Sequence, residues 1–165
     1  MKLLPNYQEY IAKYKPLMET PVLRRLRDLT EFEVADGNPD VRGWTVRGSD
    51  GQALGTVFEL IVEPEAMKVR YLDVELDSRF QINEHENHIL LPIGAASLDD
   101  DGDNVFVPAL NIESVLNYPH YVEVQITREY EEAMLRALGK EPAANPRFYE
   151  QDSFDADRFY SRRAS

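Results

Sequence analysis

The sequence predicts a mainly β domain with flanking helices, an α+β chain whose strands curl into a small, strongly bent barrel. Three observations predict it. Between residues 31 and 125, short runs of alternating apolar and polar residues are separated by turn signals at close intervals. One run, MKVRYLDVELD at residues 67–77, alternates along its length. Strands this short and this numerous cannot all bury a face in one flat sheet, whereas a barrel buries one face of each and removes the open edges.

Residues 1–30 form a helical extension. Tyr7, Tyr10, Ile11, Tyr14 and Met18 recur at helical spacing behind Asn6, a candidate N-cap. Pro16 and Pro21 interrupt the pattern, so one short helix is followed by a turn or two around Val22–Leu29. The tyrosine stripe is expected to cover the barrel or a second copy of the chain.

The barrel occupies residues 31–125. Glu31–Ala35 is expected to pair at an edge. Trp44–Arg47 is a strand closed by the turn Ser49-Asp50-Gly51. In the next strand, Leu54–Glu63, the alternation slips. Val57 and Ile61 point one way, Phe58, Leu60 and Val62 the other, so either both faces are buried or a bulge interrupts the strand. Gly55 suits a close backbone approach. After Pro64-Glu65-Ala66 the chain returns along residues 67–77. There the period of two assigns Arg70, Leu72, Val74 and Leu76 to the core face and Val69, Tyr71, Asp73 and Glu75 to the outer one. A polar loop, Ser78–Asn87, leads to short strands at His88–Pro92, Ala95–Leu98 and Asn104–Val107. Asn111 caps a short helix over Ile112–Leu116, stopped by Tyr118-Pro119.

Residues 126–165 hold a helix, Arg128–Leu138, with Thr127 as N-cap and Gly139 at C′. Beyond it Arg147-Phe148-Tyr149 recurs as Arg158-Phe159-Tyr160. The prolines, aspartates and serines around both copies predict a mostly extended, flexible tail. Phe148, Tyr149, Phe159 and Tyr160 are its anchors, docking on the chain's own barrel or on an outside partner.

Composition narrows the function classes. The chain has no cysteine, which excludes disulfides, thiolate catalysis and cysteine-ligated zinc. No run approaches the ~20 apolar residues of a membrane span. The start, MKLLPNYQEY, lacks the pattern of a secretory leader, and the cytoplasm is the expected compartment. The net charge is −12, and residues 37–125 carry sixteen acidic side chains against five basic. Such a surface repels phosphate backbones and anionic lipid, so nucleic acid is not an expected partner.

The motifs DVRGWTVRGSDGQALGTV, VRYLDVEL, ILLPIGAA and NYPHY, in that order between Asp40 and Tyr121, resemble the PRC-barrel family. That family includes the cytoplasmic barrel of the photosynthetic reaction-centre H subunit, free-standing bacterial proteins and the C-terminal domain of a ribosome-maturation factor. The flanking ITREYEEAMLRAL and FYEQDSFDADRFY are similar to those of free-standing members. The resemblance implies a bent barrel of about six strands, no shared enzymatic chemistry, an adaptor role in larger complexes and, for bacterial members, a link to stress responses. H-subunit barrels carry a Glu and an Arg around the hairpin before the RYL run, and Glu65 and Arg70 are the nearest matches. The chain has no membrane helix before the barrel, so a reaction-centre anchor is not implied.

Sites for chemistry are sparse. Asp99, Asp100, Asp101 and Asp103 surround Gly102, but placing Gly102 at the sixth position of a calcium loop puts Pro108 where the twelfth-position Glu belongs. A charged hairpin turn fits better. His85 and His88, with Glu84 and Glu86, offer only two imidazoles in a loop setting, and His120 is remote. Ser49, Ser97 and Ser114 lack a nucleophile-elbow motif. Asp73 and Glu75 stand about 7 Å apart by strand rise, the only argument for a carboxylate pair. Gly48, Gly51 and Gly55 belong to a hairpin and not to a phosphate loop. No cofactor is expected. The reading is a non-enzymatic binding and assembly module that self-associates and binds a protein partner, with Glu65, Arg70, Tyr71, Asp73, Glu75 and the tail aromatics as the partner surface. The alternatives are a metal-dependent hydrolase using the acidic and histidine loops, or a ribosome-associated factor.

Overall fold

The computed structural model describes residues 1–3, 23–83, 85–99, 101–122, 126–144 and 147–161. The helix expected over Tyr7–Met18 lies outside them. The strands are β1 (Lys2–Leu3), β2 (Arg24–Arg25), β3 (Phe32–Glu33), β4 (Thr45–Gly48), β5 (Ala53–Glu63), β6 (Lys68–Leu76), β7 (His88–Pro92), β8 (Ser97–Asp99) and β9 (Asn104–Val107). β1 and β3 pair as a separate ribbon. The main sheet runs β7-β6-β5-β4-β9-β8, with β2 on the far end of β5. Its pairs are antiparallel except β4 with β9, which run parallel.

Among the described residues, closure into a barrel is not seen. The strand path ends at β7 on one side and β8 on the other, without a pairing between them. The bend is real and has local causes. In β5 the register passes from Val57↔Val74 to Glu59↔Asp73, leaving Phe58 as the extra residue of a bulge. In β6 it passes from Ile61↔Tyr71 to Val62↔Val69, leaving Arg70 as another. Bulges increase local twist and re-aim the side chains at them. The slipped alternation of β5 thus corresponds to both alternatives at once, a bulge followed by a fully buried run from Glu59 to Glu63. Gly55 lies against β6, where a Cβ would stand 2.2 Å from the Glu75 carbonyl oxygen.

Short helical elements link the strands. Single 3-10 turns form at Leu26–Asp28, Ser78–Phe80 and Ile93–Ala95. Asn111 does accept bonds from the backbone N–H groups of Glu113 and Ser114, and the short helix expected over Ile112–Leu116 is a 3-10 turn at Ser114–Asn117. Helix α1 (Arg128–Ala137) starts at Thr127, whose side chain accepts from the Tyr130 N–H, and ends at Gly139 with φ +77°. Left-handed φ at that place favours glycine.

The tail departs most from expectation. Residues 147–161 are not extended and loose. They form 3-10 turns at Phe148–Glu150 and Asp152–Phe154, then a short helix α2 (Ala156–Ser161). Phe148, Phe154 and Phe159 are buried in the same core as the β6 side chains. Both faces of β6 are therefore covered. Val69, Tyr71 and Asp73, expected outside, are buried together with Leu72, Val74 and Leu76, and of the expected outer row Glu75 alone is exposed.

Among the described residues no helix is long and apolar enough to cross a membrane.

Candidate functional site

Four buried carboxylates organise the polar chemistry of the molecule, and each is held by hydrogen-bonding partners. Glu59, next to the β5 bulge, accepts from Arg27 Nε at 2.7 Å and from Arg42 Nη1 at 3.3 Å. It also takes the Leu60 N–H at 2.9 Å. Arg42 forks onto Asp40 at 2.6 Å, a bond that draws the Asp40 carboxyl below its ordinary pKa. Glu63, at the end of β5, accepts from Arg70 Nε at 2.8 Å. Such pairing is what buried charge requires.

Asp73 of β6 meets His88 of β7, Oδ1 to Nδ1 2.6 Å. Glu75 lies 3.8 Å from Nε2 of the same ring. The hydrogen bond to Asp73 raises the His88 pKa against the opposing effect of burial. The ring packs edge-on against Phe58 with centroids 5.0 Å apart. The Arg27 guanidinium stands over the Phe58 ring, 4.7 Å from its centroid. Phe58 is 40% exposed, a large aromatic held out to solvent by the bulge between a guanidinium and an imidazole.

The fourth carboxylate, Glu131, lies on α1 with Met134, Leu135 and Leu138 on its buried stripe. Its Oε2 accepts from the hydroxyls of Tyr71 at 2.6 Å and Tyr149. Its Oε1 accepts from Arg128 Nε at 3.1 Å. Burial, then the charge of Glu131, pushes both tyrosines up, Tyr71 well above its ordinary pKa, so they remain hydroxyl donors. The Arg128 guanidinium stacks 3.8 Å from the Phe148 centroid. Arg70 Nη1 donates to the Phe154 carbonyl at 2.9 Å, and the Phe154 ring meets Tyr71 at 5.3 Å. Where the tail crosses the sheet, Gly94 sits under Asp152; a Cβ there would lie 2.0 Å from the Asp152 carbonyl oxygen. A cleft of about 500 Å³ opens beside this crossing, between Ala95, Pro108, Leu138, Lys140, Ser153 and Arg158.

The predicted surface is thus divided. Tyr71 and Asp73 are interior, and Arg70 is nearly so. Phe148 and Phe159 are buried; Tyr149 and Tyr160 are half-buried, and burial pushes Tyr160 up to about 12. Glu75 and Glu65 remain exposed, Glu65 in the β5–β6 turn. Glu65 and Arg70 do not form a pair; the partner of Arg70 is Glu63. His120 Nδ1 meets the Glu86 carbonyl oxygen at 2.9 Å, while His88 is committed to Asp73. In the acidic turn, Asp99 accepts from the Asp101 N–H and the Asn104 amide. Among the described residues, no group of three or more His, Asp or Glu could hold a metal ion. Reading the sequence missed Phe58 and Glu131. The signals were a broken alternation and an acid inside an apolar helical stripe.

A bent, open sheet whose buried acids are used in intramolecular bonds, and whose helical C-terminal segment completes the core, defines a small β-scaffold. The chain belongs to the PRC-barrel domain family, whose profile matches residues 25–113, more than half of the chain. It is also similar to an uncharacterized protein of Deinococcus radiodurans, 32% identical over 79 residues. That match covers 48% of this chain and 27% of the Deinococcus protein, so this chain spans well under half of its relative's length.

Proposed function

We propose that the chain is a non-enzymatic binding and assembly module that self-associates and joins a protein partner through the β5–β7 face around Phe58. The observation that carries this reading is the exposed Phe58 ring, raised by a bulge and flanked by Arg27 and His88. A large aromatic beside a guanidinium and an imidazole, within a polar surround, has the composition of an interface anchor. Glu75, exposed on the same face, supplies part of that polar surround. The surface differs from the one read in sequence, because the tail occupies the region of Tyr71.

Light scattering and affinity capture with the full chain and with Phe58→Ser test it. The substitution should reduce both self-association and partner recovery at least tenfold, about 1.4 kcal/mol, with an unchanged circular dichroism spectrum showing that the variant is folded. A wild-type protein that stays strictly monomeric and captures nothing would sink the reading.

A further inference from the structure

The C-terminal segment is bonded to the rest of the molecule as a bound peptide is. Its contacts are main-chain and ring contacts. Arg70 reads the Phe154 carbonyl, Gly94 admits the Asp152 carbonyl, Glu131 takes the Tyr149 hydroxyl, and Arg128 covers the Phe148 ring. Lys68 and Asp157 add an exposed pair at 3.2 Å. The three phenylalanines of the segment are buried. The connection behind it has another character. Between buried Leu138 and buried Phe148, every described residue is exposed or half-buried. The sequence there, GKEPAANPR, holds two prolines.

Nothing in these anchors depends on the linker that delivers the segment. Eight linker residues, 139–146, at about 3.3 Å each reach roughly 26 Å, enough to cross to a neighbouring molecule. An element that docks through its own contacts, on a linker whose described residues are exposed or half-buried, is the setting for exchange between identical chains. We infer that residues 147–161 of one copy dock on the β6 face of a second copy, giving a tail-exchanged dimer. The inference rests on the self-association reading and adds to the Phe58 contact a second one between the same two copies. Docking within one chain is favoured by the short linker at low concentration, and exchange by crowding during folding.

The absence of cysteine makes the test clean. Ala95 and Ser153 line the same cleft, one from the core and one from the tail. Full-length Ala95→Cys and Ser153→Cys, carrying different tags, are unfolded together, refolded over a range of concentrations and treated with a short bismaleimide. The expected product is a covalent dimer of one of each, its yield rising with refolding concentration. Proteins folded separately and then mixed should give at least tenfold less. The double variant should cross-link within one chain at low concentration. Pro108→Cys, on the same cleft, replaces Ala95→Cys if that variant fails to fold. Cross-linking confined to the double variant at every concentration overturns the inference, as does an equal yield without co-refolding. A dimer seen by light scattering with no mixed cross-link overturns exchange while self-association stands. A strict monomer removes both.

Discussion

Glu131 occupies a place on α1 where the helical stripe would otherwise present a leucine to the core. Its carboxylate holds together three elements, taking hydroxyl bonds from Tyr71 of β6 and Tyr149 of the tail beside Arg128 of its own helix. Glu131→Ala should lower stability by about 2 kcal/mol, because the buried Tyr71 hydroxyl loses its acceptor. Tyr149→Phe removes one donor from the half-buried side and should cost about 1 kcal/mol. Urea titrations of both variants check the order. His88 gives a pH signature of opposite sense to the usual carboxylate one. Its folded pKa is raised by Asp73, with Glu75 also facing the ring and Phe58 packed on its edge. A raised folded pKa means the stabilisation is complete below the unfolded value of about 6.5 and is lost as pH climbs through the folded one. The stability gap between wild type and His88→Gln should therefore be widest near pH 5.5 and narrow towards pH 9. A gap that widened with pH would contradict the pairing.

At the scale of elements, two glycines mark where backbones touch. Gly55→Ala pushes a methyl group against the Glu75 carbonyl, backbone against backbone, and should cost about 3 kcal/mol with a matching drop in melting temperature. The strands were legible because a period of two survives in a single sequence. β7 and β9 have the bounds that alternation assigns, and β4 to β6 differ by a residue at their ends. The Thr127 cap and Gly139 stop of α1 were equally plain, since each answers a local backbone need. The outer face of β6 was not legible. Periodicity separates two faces but cannot say whether water or a distant segment lies beyond one of them. Here the cover arrives from Phe154, 84 residues after Arg70. The tail misled for the same reason. Its prolines and aspartates are a local signal of disorder, while its phenylalanines respond to a surface assembled elsewhere. The bulge at Phe58 was announced by the slipped alternation, but its role in exposing a ring depends on where Arg27 and His88 fall in space.

For the whole molecule, the sheet and the tail share one core, and damage to either should spread. Leu72 is fully buried in the middle of β6, between both covered faces. Leu72→Asp should abolish cooperative thermal unfolding monitored by near-ultraviolet circular dichroism, since an unpaired carboxylate in that position costs several kcal/mol; an unchanged melt would refute the assigned interior. The order in which the shared core is completed has a consequence during synthesis. Every strand among the described residues is made before Phe148, Phe154 and Phe159. At about 5–20 residues per second, the 84-residue gap between Arg70 and Phe154 leaves the newborn β6 without its lid for roughly 4–17 s. For that interval the nascent chain presents Val69 and Tyr71 to the cell as bare, adhesive surface, and chaperone capture of ribosome-bound intermediates should concentrate there.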